Sequence, residues 1–247
     1  MINNLLKNLA YTILSWFNFP GAIILMYHSV AENNEFSTVR PADFKAQMAY
    51  FKKRKFNIIK LKDLEQLLIN KKKIPPKTIV LTFDDGYEDN YKCVWPILKQ
   101  YNFPATFFIS TGFLGQDFIT PRGTSLRVIN DRQIIELDRS GLIEIASHGH
   151  KHLKLANLSA EEAKNELKNS LMTLEGILKK KILSISYPSG RFNDMVENIA
   201  KEYFSVICTV LPGRVKNNDK IYRLKRNSVD SEVTFTQFKG IIKYGRV

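Results

Sequence analysis

Short apolar runs alternate along the chain with longer stretches in which apolar residues recur every three or four positions. The runs predict strands at residues 22–27, 56–59, 78–83, 105–109, 142–146, 183–187 and 205–209. The periodic stretches predict helices at residues 41–55, 62–69, 89–100, 130–139, 159–180 and 195–204. Ser159 and Glu162 form a capping box at the start of the most regular helix, and Pro96 is expected to kink or divide an earlier one. The alternation predicts parallel βαβ units, and hence one α/β, barrel-like domain over residues 21–247.

The first twenty residues stand apart from this alternation. Residues 1–20 form an apolar run with Lys7 as its only charge, and Pro20 and Gly21 end it. The run is too short to span a bilayer, and no convincing cleavage site for a signal peptide follows it. We expect an apolar helix that lies on a membrane surface or on the protein's own barrel, with an uncleaved signal anchor as a third alternative.

Residues capable of chemistry follow four of the predicted strands. They are His28, then Asp84 with Asp85, then His148 with His152, and finally residues 188–190. The carboxyl ends of the strands in an α/β barrel converge on one mouth. Side chains that are remote in sequence can therefore share one site.

The two histidines His148 and His152 lie four residues apart. On one side of a helical turn both imidazoles would reach the same cation, and one carboxylate would complete a two-His, one-Asp site with open positions. His150, between them, is expected to point away from the metal. The alternatives are a surface histidine-rich loop and, for residues 84–86, an ordinary Asp-Asp-Gly turn.

The composition adds a strong positive charge. Lys and Arg total 37 against 24 Asp and Glu, a formal net charge of +13, which favours anionic partners. Much of the excess lies in lysine clusters at the ends of predicted helices, where solvated side chains also suit the helix dipole. Cys93 and Cys208 fall in a predicted helix and a predicted strand, which argues against a disulfide framework and a cysteine-based zinc site.

Three motifs resemble those of a known family. They are TFDDG at residues 82–86, SHGHKH at residues 147–152 and SYPSG at residues 186–190. In order and spacing they are similar to the leading motifs of the polysaccharide deacetylases, the family 4 carbohydrate esterases with a NodB-homology domain. The resemblance covers about residues 23–229. It implies a distorted (β/α) barrel whose catalytic domain, residues 21–247, is a metal-dependent N-deacetylase of N-acetylated amino sugars.

The resemblance also implies a role for each motif residue. Asp85, His148 and His152 match the family's metal ligands, with Zn²⁺ as the expected ion and Ni²⁺, Co²⁺ or Fe²⁺ as alternatives. Asp84 matches the general base. The backbone N–H of Ser189 falls where the family places a donor to the oxyanion.

The chain departs from the commonest family pattern in two places. Ser186 stands where an arginine usually orients the base, and no histidine follows His152 to act as the usual C-terminal acid. Both departures resemble one subgroup, which includes poly-N-acetylglucosamine deacetylases and in which the order of elements looks circularly permuted. This chain carries that subgroup's motifs at residues 26–29, 187–190 and 223–226.

The subgroup resemblance implies that His28 supplies the general acid, the alternative being a histidine satisfied by hydrogen bonds at a strand end. Arg226 is the candidate to orient Asp84, the alternative being a surface arginine on a late strand. The residues expected to bind substrate are Tyr187, Pro188, Gly190 and Arg226.

The expected partner is an N-acetylated glycan or glycolipid, with peripheral membrane contact through residues 1–20 and no nucleic acid. A membrane-associated or cell-envelope location is favoured over the cytoplasm. Two other functions stay open. One is a basic binding module that a metal stabilises and that hydrolyses nothing. The other is a glycosidase using Asp84 and Asp85, although neighbouring carboxylates cannot easily flank a sugar bond.

Overall fold

The computed structural model of the protein describes residues 20–245, so the predicted N-terminal appendage lies outside the described residues except for Pro20. The α-helices are α1 (Pro41–Lys53), α2 (Leu61–Ile69), α3 (Trp95–Tyr101), α4 (Asp131–Arg139), α5 (Ala160–Leu178), α6 (Asp194–Tyr203) and α7 (Phe235–Tyr244). The strands are β1 (Ala22–Tyr27), β2 (Ser29–Val30), β3 (Thr38–Val39), β4 (Asn57–Ile59), β5 (Thr78–Phe83), β6 (Ala105–Ile109), β7 (Asp117–Ile119), β8 (Ser125–Arg127), β9 (Ile143–Ser147), β10 (Ser184–Ser186), β11 (Val206–Cys208) and β12 (Asn227–Ser228). No helix within residues 20–245 is both long enough and apolar enough to cross a membrane.

One parallel sheet organises the molecule. Its strand order is β11-β10-β9-β6-β5-β1-β12, and β4 pairs with the first half of β5. Beyond β11 the chain returns to the other edge of the sheet, because Leu224 bridges Cys208 in β11 while Asn227 pairs with Leu25 in β1. The sheet therefore curls into a distorted barrel, and the predicted α/β architecture with parallel strands is confirmed.

Strands β1 and β5 are buried on both faces, which explains their mostly apolar sequences. Tyr27 and Phe83, the last residues of β1 and β5, pair in register and stack with ring centroids 5.2 Å apart, and Phe44 of α1 packs edge-on against both. Such aromatic contacts add about 0.5–1.5 kcal/mol each beyond the area that they bury. The cluster fixes the strand ends from which His28 and Asp84 emerge.

The structure contains elements that the sequence did not predict, among them the two-residue strands β2, β3 and β12. Between the predicted strand at residues 105–109 and the predicted helix at residues 130–139 lies an antiparallel hairpin of β7 and β8, whose strands of three residues are too short to give an alternating pattern. The predicted helix at residues 89–100 is divided, as expected from Pro96, into a π-helical turn, Asn90–Val94, and α3, in which Pro96 is the second residue. Helix α7, capped by Thr234, was not predicted.

Candidate active site

The carboxyl ends of the strands surround a cavity of about 490 Å³, which we call the catalytic cavity. Of the residues predicted from the sequence, those lining it are His28, Asp84, Asp85, His148, His152, Tyr187, Ser189 and Gly190. Pro188 is buried and Arg226 has no exposed surface, and neither lines the cavity. Four strand ends that are remote in sequence thus meet at one mouth.

Asp85 lies between the two histidines. Its Oδ1 is 3.3 Å from Nε2 of His148 and 3.3 Å from Nε2 of His152, and the three ligand atoms lie within 4.8 Å of one another. This oxygen is buried and has no hydrogen-bond partner among residues 20–245. Burial would raise the pKa of Asp85, but the neighbouring imidazoles outweigh it and hold the pKa well below its ordinary value.

The hydrogen bond made by Nδ1 of His148 determines that Nε2 carries the free lone pair. Its Nδ1 lies 2.8 Å from the carbonyl oxygen of Ser186, and because a carbonyl can only accept, Nδ1–H must donate. In neutral His148 the lone pair of Nε2 then faces the buried oxygen of Asp85. Two imidazole nitrogens and a carboxylate oxygen turned toward one another suit a divalent cation, so this donor set fits the metal that the family implies.

The local backbone that brings the histidines together is not the helical turn predicted from their spacing. Residues 148–152 form a bend in which Gly149 and His152 adopt left-handed conformations, with φ of 76° and 55°. Asp85 is also left-handed, with φ of 71°. Left-handed backbone is costly for residues other than glycine, and it is retained where a side chain must be aimed in an unusual direction.

Asp84 is held by Arg226, and its Oδ2 also lies 3.9 Å from Nε2 of His148. Arg226 donates from Nη1 to Oδ1 (2.6 Å) and from Nη2 to Oδ2 (2.7 Å), a bidentate pair with no solvent exposure at the arginine. A side chain that is wholly buried behind Asp84 cannot contact a sugar, which corrects the substrate-binding assignment of Arg226. Its contacts match instead the hypothesis that it orients Asp84, and the alternative of a surface arginine is wrong.

Three further groups hold the guanidinium in place. Nε donates to the carbonyl of Thr209 (3.0 Å), Nη1 to the hydroxyl of Thr82 (3.2 Å) and Nη2 to the hydroxyl of Ser186 (2.5 Å). Ser186, at the position of the usual motif arginine, therefore binds the arginine that arrives from elsewhere in the chain. Burial would raise the pKa of Asp84, but the charge of Arg226 leads the opposing effects and lowers it.

His28 is half-buried at the cavity wall. Its side chain makes no hydrogen bond to any residue that the structure describes, so the interpretation of a satisfied structural histidine gains no support. The backbone around it is held firmly. Asn90 Nδ2 donates to the His28 carbonyl (2.8 Å), while Asp89 accepts from the Ser29 hydroxyl (2.7 Å) and the Val30 N–H (3.1 Å). The sequence did not predict that Asp89 and Asn90 hold the backbone around His28.

The residues after β10 form the opposite wall. The ring of Tyr187 stacks on Phe192 with centroids 5.0 Å apart, and Ser189 is exposed with a left-handed φ of 55°. A Cβ on Gly190 would lie 2.3 Å from Val210, so only glycine fits there. His150 lies apart from the predicted metal ligands and places Nδ1 2.9 Å from the Thr111 hydroxyl.

The family comparison agrees with this geometry. The family model described as "Polysaccharide deacetylase" matches residues 71–204, more than half of the chain. The chain belongs to the polysaccharide deacetylase family. Like other members, this deacetylase is a metal-dependent hydrolase that removes N-acetyl groups from the amino sugars of a polysaccharide.

Similar proteins support both the family and the fold. YxkH of Bacillus subtilis (strain 168) is 29% identical over 221 residues, which cover 89% of this chain and 75% of YxkH. The poly-beta-1,6-N-acetyl-D-glucosamine N-deacetylase of Staphylococcus aureus (strain N315) is 32% identical over 186 residues, covering 72% of this chain and 62% of that protein. The structure of the Streptococcus pyogenes deacetylase PplD in complex with acetate has a TM-score of 0.78 and 25% identity, covering 91% of this chain and 99% of PplD. The predicted distorted (β/α) barrel of this family is confirmed.

Proposed function

We propose that this deacetylase acts on a glycan of β-linked N-acetylglucosamine and that its two adjacent carboxylates divide the work. The observation that carries the proposal is their separation: Asp85 faces His148 and His152, whereas Asp84 is held by Arg226. A carboxylate committed to a metal cannot also remove a proton from water. The name of the Staphylococcus relative supports the choice of a poly-N-acetylglucosamine substrate.

We assign the metal site to Asp85, His148 and His152, with Zn²⁺ as the resident ion and Ni²⁺, Co²⁺ or Fe²⁺ as alternatives, because imidazole and carboxylate ligands suit all four. A divalent ion bound there would polarise the acetyl carbonyl and lower the pKa of a water molecule. The remaining chemistry falls to side chains and backbone groups of this chain.

In the proposed reaction, Asp84 removes a proton from the attacking water, and the water oxygen bonds to the acetyl carbon. Ser189 N–H donates to the oxygen on which negative charge develops. The bond between the acetyl carbon and the sugar nitrogen then breaks while His28, as imidazolium, gives the nitrogen a proton. The products are acetate and an amino sugar, and Arg226 keeps Asp84 aimed at the water.

The test is acetate release from a panel of β-1,6-linked and β-1,4-linked N-acetylglucosamine oligomers, a peptidoglycan fragment and a lipid-linked N-acetylhexosamine, each with and without a chelator. We expect chelator-sensitive release that is fastest with the β-1,6 oligomers. Tight binding of glycan without release would favour the binding module. Cleavage of glycosidic bonds that ignores the chelator would favour the glycosidase. Fastest release from another glycan would contradict the substrate assignment.

We further propose that residues 1–20 bring the enzyme to an anionic membrane surface, because they are apolar and the chain carries a net charge of +13. This would place the protein at a membrane or in the cell envelope. Sedimentation with vesicles of phosphatidylglycerol should recover the full chain, and a Leu9→Asp, Ile13→Asp variant should stay in the supernatant. Equal recovery of both proteins would exclude a role for this segment.

A further inference from the structure

A second cavity, which we call the side cavity, lies next to the catalytic cavity. It has a volume of about 340 Å³, and both cavities are lined by Glu35. The loop between β2 and β3 contributes to both, since Ser37 lines the catalytic cavity while Asn33 and Asn34 line the side cavity. Thr38, the first residue of β3, also lines the side cavity. Most of the other lining is polar, with Asn33, Asn34, Asp43, Gln47, Asp230 and Ser231. The two cavities are therefore neighbours that share one wall.

Glu35 is a buried carboxylate that the reaction does not use. The Thr120 hydroxyl, on the hairpin of β7 and β8, donates to its Oε1 at 2.7 Å. Hydrogen bonding to Thr124 lowers the pKa of Glu35, aided by Thr120 and by the charge of Arg122 against the effect of burial. Glu35 forms no ion pair with any residue from 20 to 245. An ionised carboxylate can accept about four hydrogen bonds, so it retains capacity for hydroxyl groups of a ligand.

Thr38 supplies an independent observation. The residue is 3% exposed, and its hydroxyl is buried without a hydrogen-bond partner among the described residues. An unsatisfied buried hydroxyl costs folding free energy, and native proteins retain few of them. A ligand in the side cavity that offers hydroxyl groups would supply the missing partner.

We infer that the catalytic and side cavities form one binding surface, on which Glu35 and Thr38 bind the sugar residue next to the one being deacetylated. This inference rests on the proposed function, because only a polymeric glycan presents a second sugar at that position. Sugar hydroxyls would donate to the Glu35 carboxylate and exchange a hydrogen bond with the Thr38 hydroxyl. Both residues would then favour an oligomer over a single sugar.

The test is calorimetric binding to the full chain, kept in a chelator so that the glycan stays intact. The probes are a β-1,6-linked N-acetylglucosamine pentamer and the methyl glycoside of N-acetylglucosamine. Thr38→Val removes the hydroxyl at nearly constant volume, and Glu35→Gln keeps an acceptor for Thr120 while removing the charge. Ser184→Ala is the matched control, because the Ser184 hydroxyl is also buried and unpartnered but lies in β10 and lines neither cavity.

We expect Thr38→Val to weaken pentamer binding about threefold to tenfold and Glu35→Gln about tenfold, as losses of a neutral and a charge-assisted hydrogen bond. Ser184→Ala should bind the pentamer as the wild type does, and none of the three variants should change binding of the methyl glycoside. Thr38→Val should unfold at the same temperature as the wild type or higher.

Wild-type affinity for the pentamer in both Thr38→Val and Glu35→Gln would overturn the inference, as would an equal loss in Ser184→Ala. The proposed function fails separately. If the wild type without chelator releases no acetate from the pentamer that it binds, the reaction is wrong while the second sugar site stands.

Discussion

At the scale of single residues, the chemistry of the site depends on which way two neighbouring carboxylates point. Asp84 and Asp85 are adjacent in sequence, yet one pairs with Arg226 and the other faces two histidines. The sequence motifs predict a role for each of the two aspartates. Arg226 lies 142 residues from Asp84, and no periodicity or spacing reports a contact across that separation, so its bidentate bond to Asp84 required the structure.

The pair between Arg226 and Asp84 makes a prediction about pH. Because the folded-state pKa of Asp84 is below its ordinary value of 3.8, the pair stabilises the fold above that value and loses its effect as pH falls through the lowered pKa. Arg226→Gln leaves a buried carboxylate without its cation. We expect Arg226→Gln to lower the free energy of unfolding by about 3–5 kcal/mol at neutral pH and by less in acid. We also expect the acidic limb of the kcat/KM profile to move to higher pH.

Denaturant unfolding and pH–rate profiles would check this prediction. Arg223→Gln is the matched control, because Arg223 belongs to the same Arg-x-x-Arg motif but has a side chain that is 44% exposed, and its partner Glu197 keeps a second cation in Lys201. Arg223→Gln should lower the free energy of unfolding by less than about 1 kcal/mol and leave the pH profile of kcat/KM unchanged. Equal effects of the two substitutions would contradict the special role of Arg226.

At the scale of elements, strands were predicted better than turns. Strands β1, β5 and β6 are mostly apolar because both of their faces are buried, and their boundaries agree with the apolar runs. The spacing of His148 and His152 predicts a helical turn, but residues 148–152 form a bend, because a spacing of four residues does not reveal left-handed backbone. The division of the predicted helix at residues 89–100 next to Pro96 is confirmed, whereas the π-helical form of the turn before it was not predicted.

The π-helical turn has a consequence for catalysis. Asn90, its first residue, is buried and donates from Nδ2 to the His28 carbonyl at 2.8 Å. Asn90→Ala removes this bond and should shift the imidazole, and a displacement of about 1 Å can cost roughly 100-fold in rate. We expect a lower kcat with an unchanged metal content.

A matched control is available in helix α2. Asn70 makes the same kind of bond, from Nδ2 to the Gln66 carbonyl at 2.8 Å, but it is exposed at the end of the helix. Asn70→Ala should keep the wild-type kcat. If Asn90→Ala also kept it, the π-helical turn would have no part in positioning His28.

At the scale of the whole molecule, the curled sheet explains why the family motifs are so far apart in sequence. The proposed metal ligands follow β5 and β9, the proposed base is held from the segment before β12, and the proposed acid follows β1. Parallel strands deliver all of them to one edge. The architecture could be predicted from alternating strands and helices, whereas the closure at Leu224 leaves no trace in the pattern.

The separation of roles between Asp84 and Asp85 is the central claim, and one paired measurement tests it directly. Asp84→Asn and Asp85→Asn are each loaded with Zn²⁺, and bound metal and acetate release from the β-1,6 pentamer are measured on the same samples, with circular dichroism to check folding. We expect Asp84→Asn to retain one metal and lose acetate release by a factor of about 100 to 10,000, and Asp85→Asn to lose both. Loss of metal in Asp84→Asn, or full metal content in Asp85→Asn, would contradict the assignment.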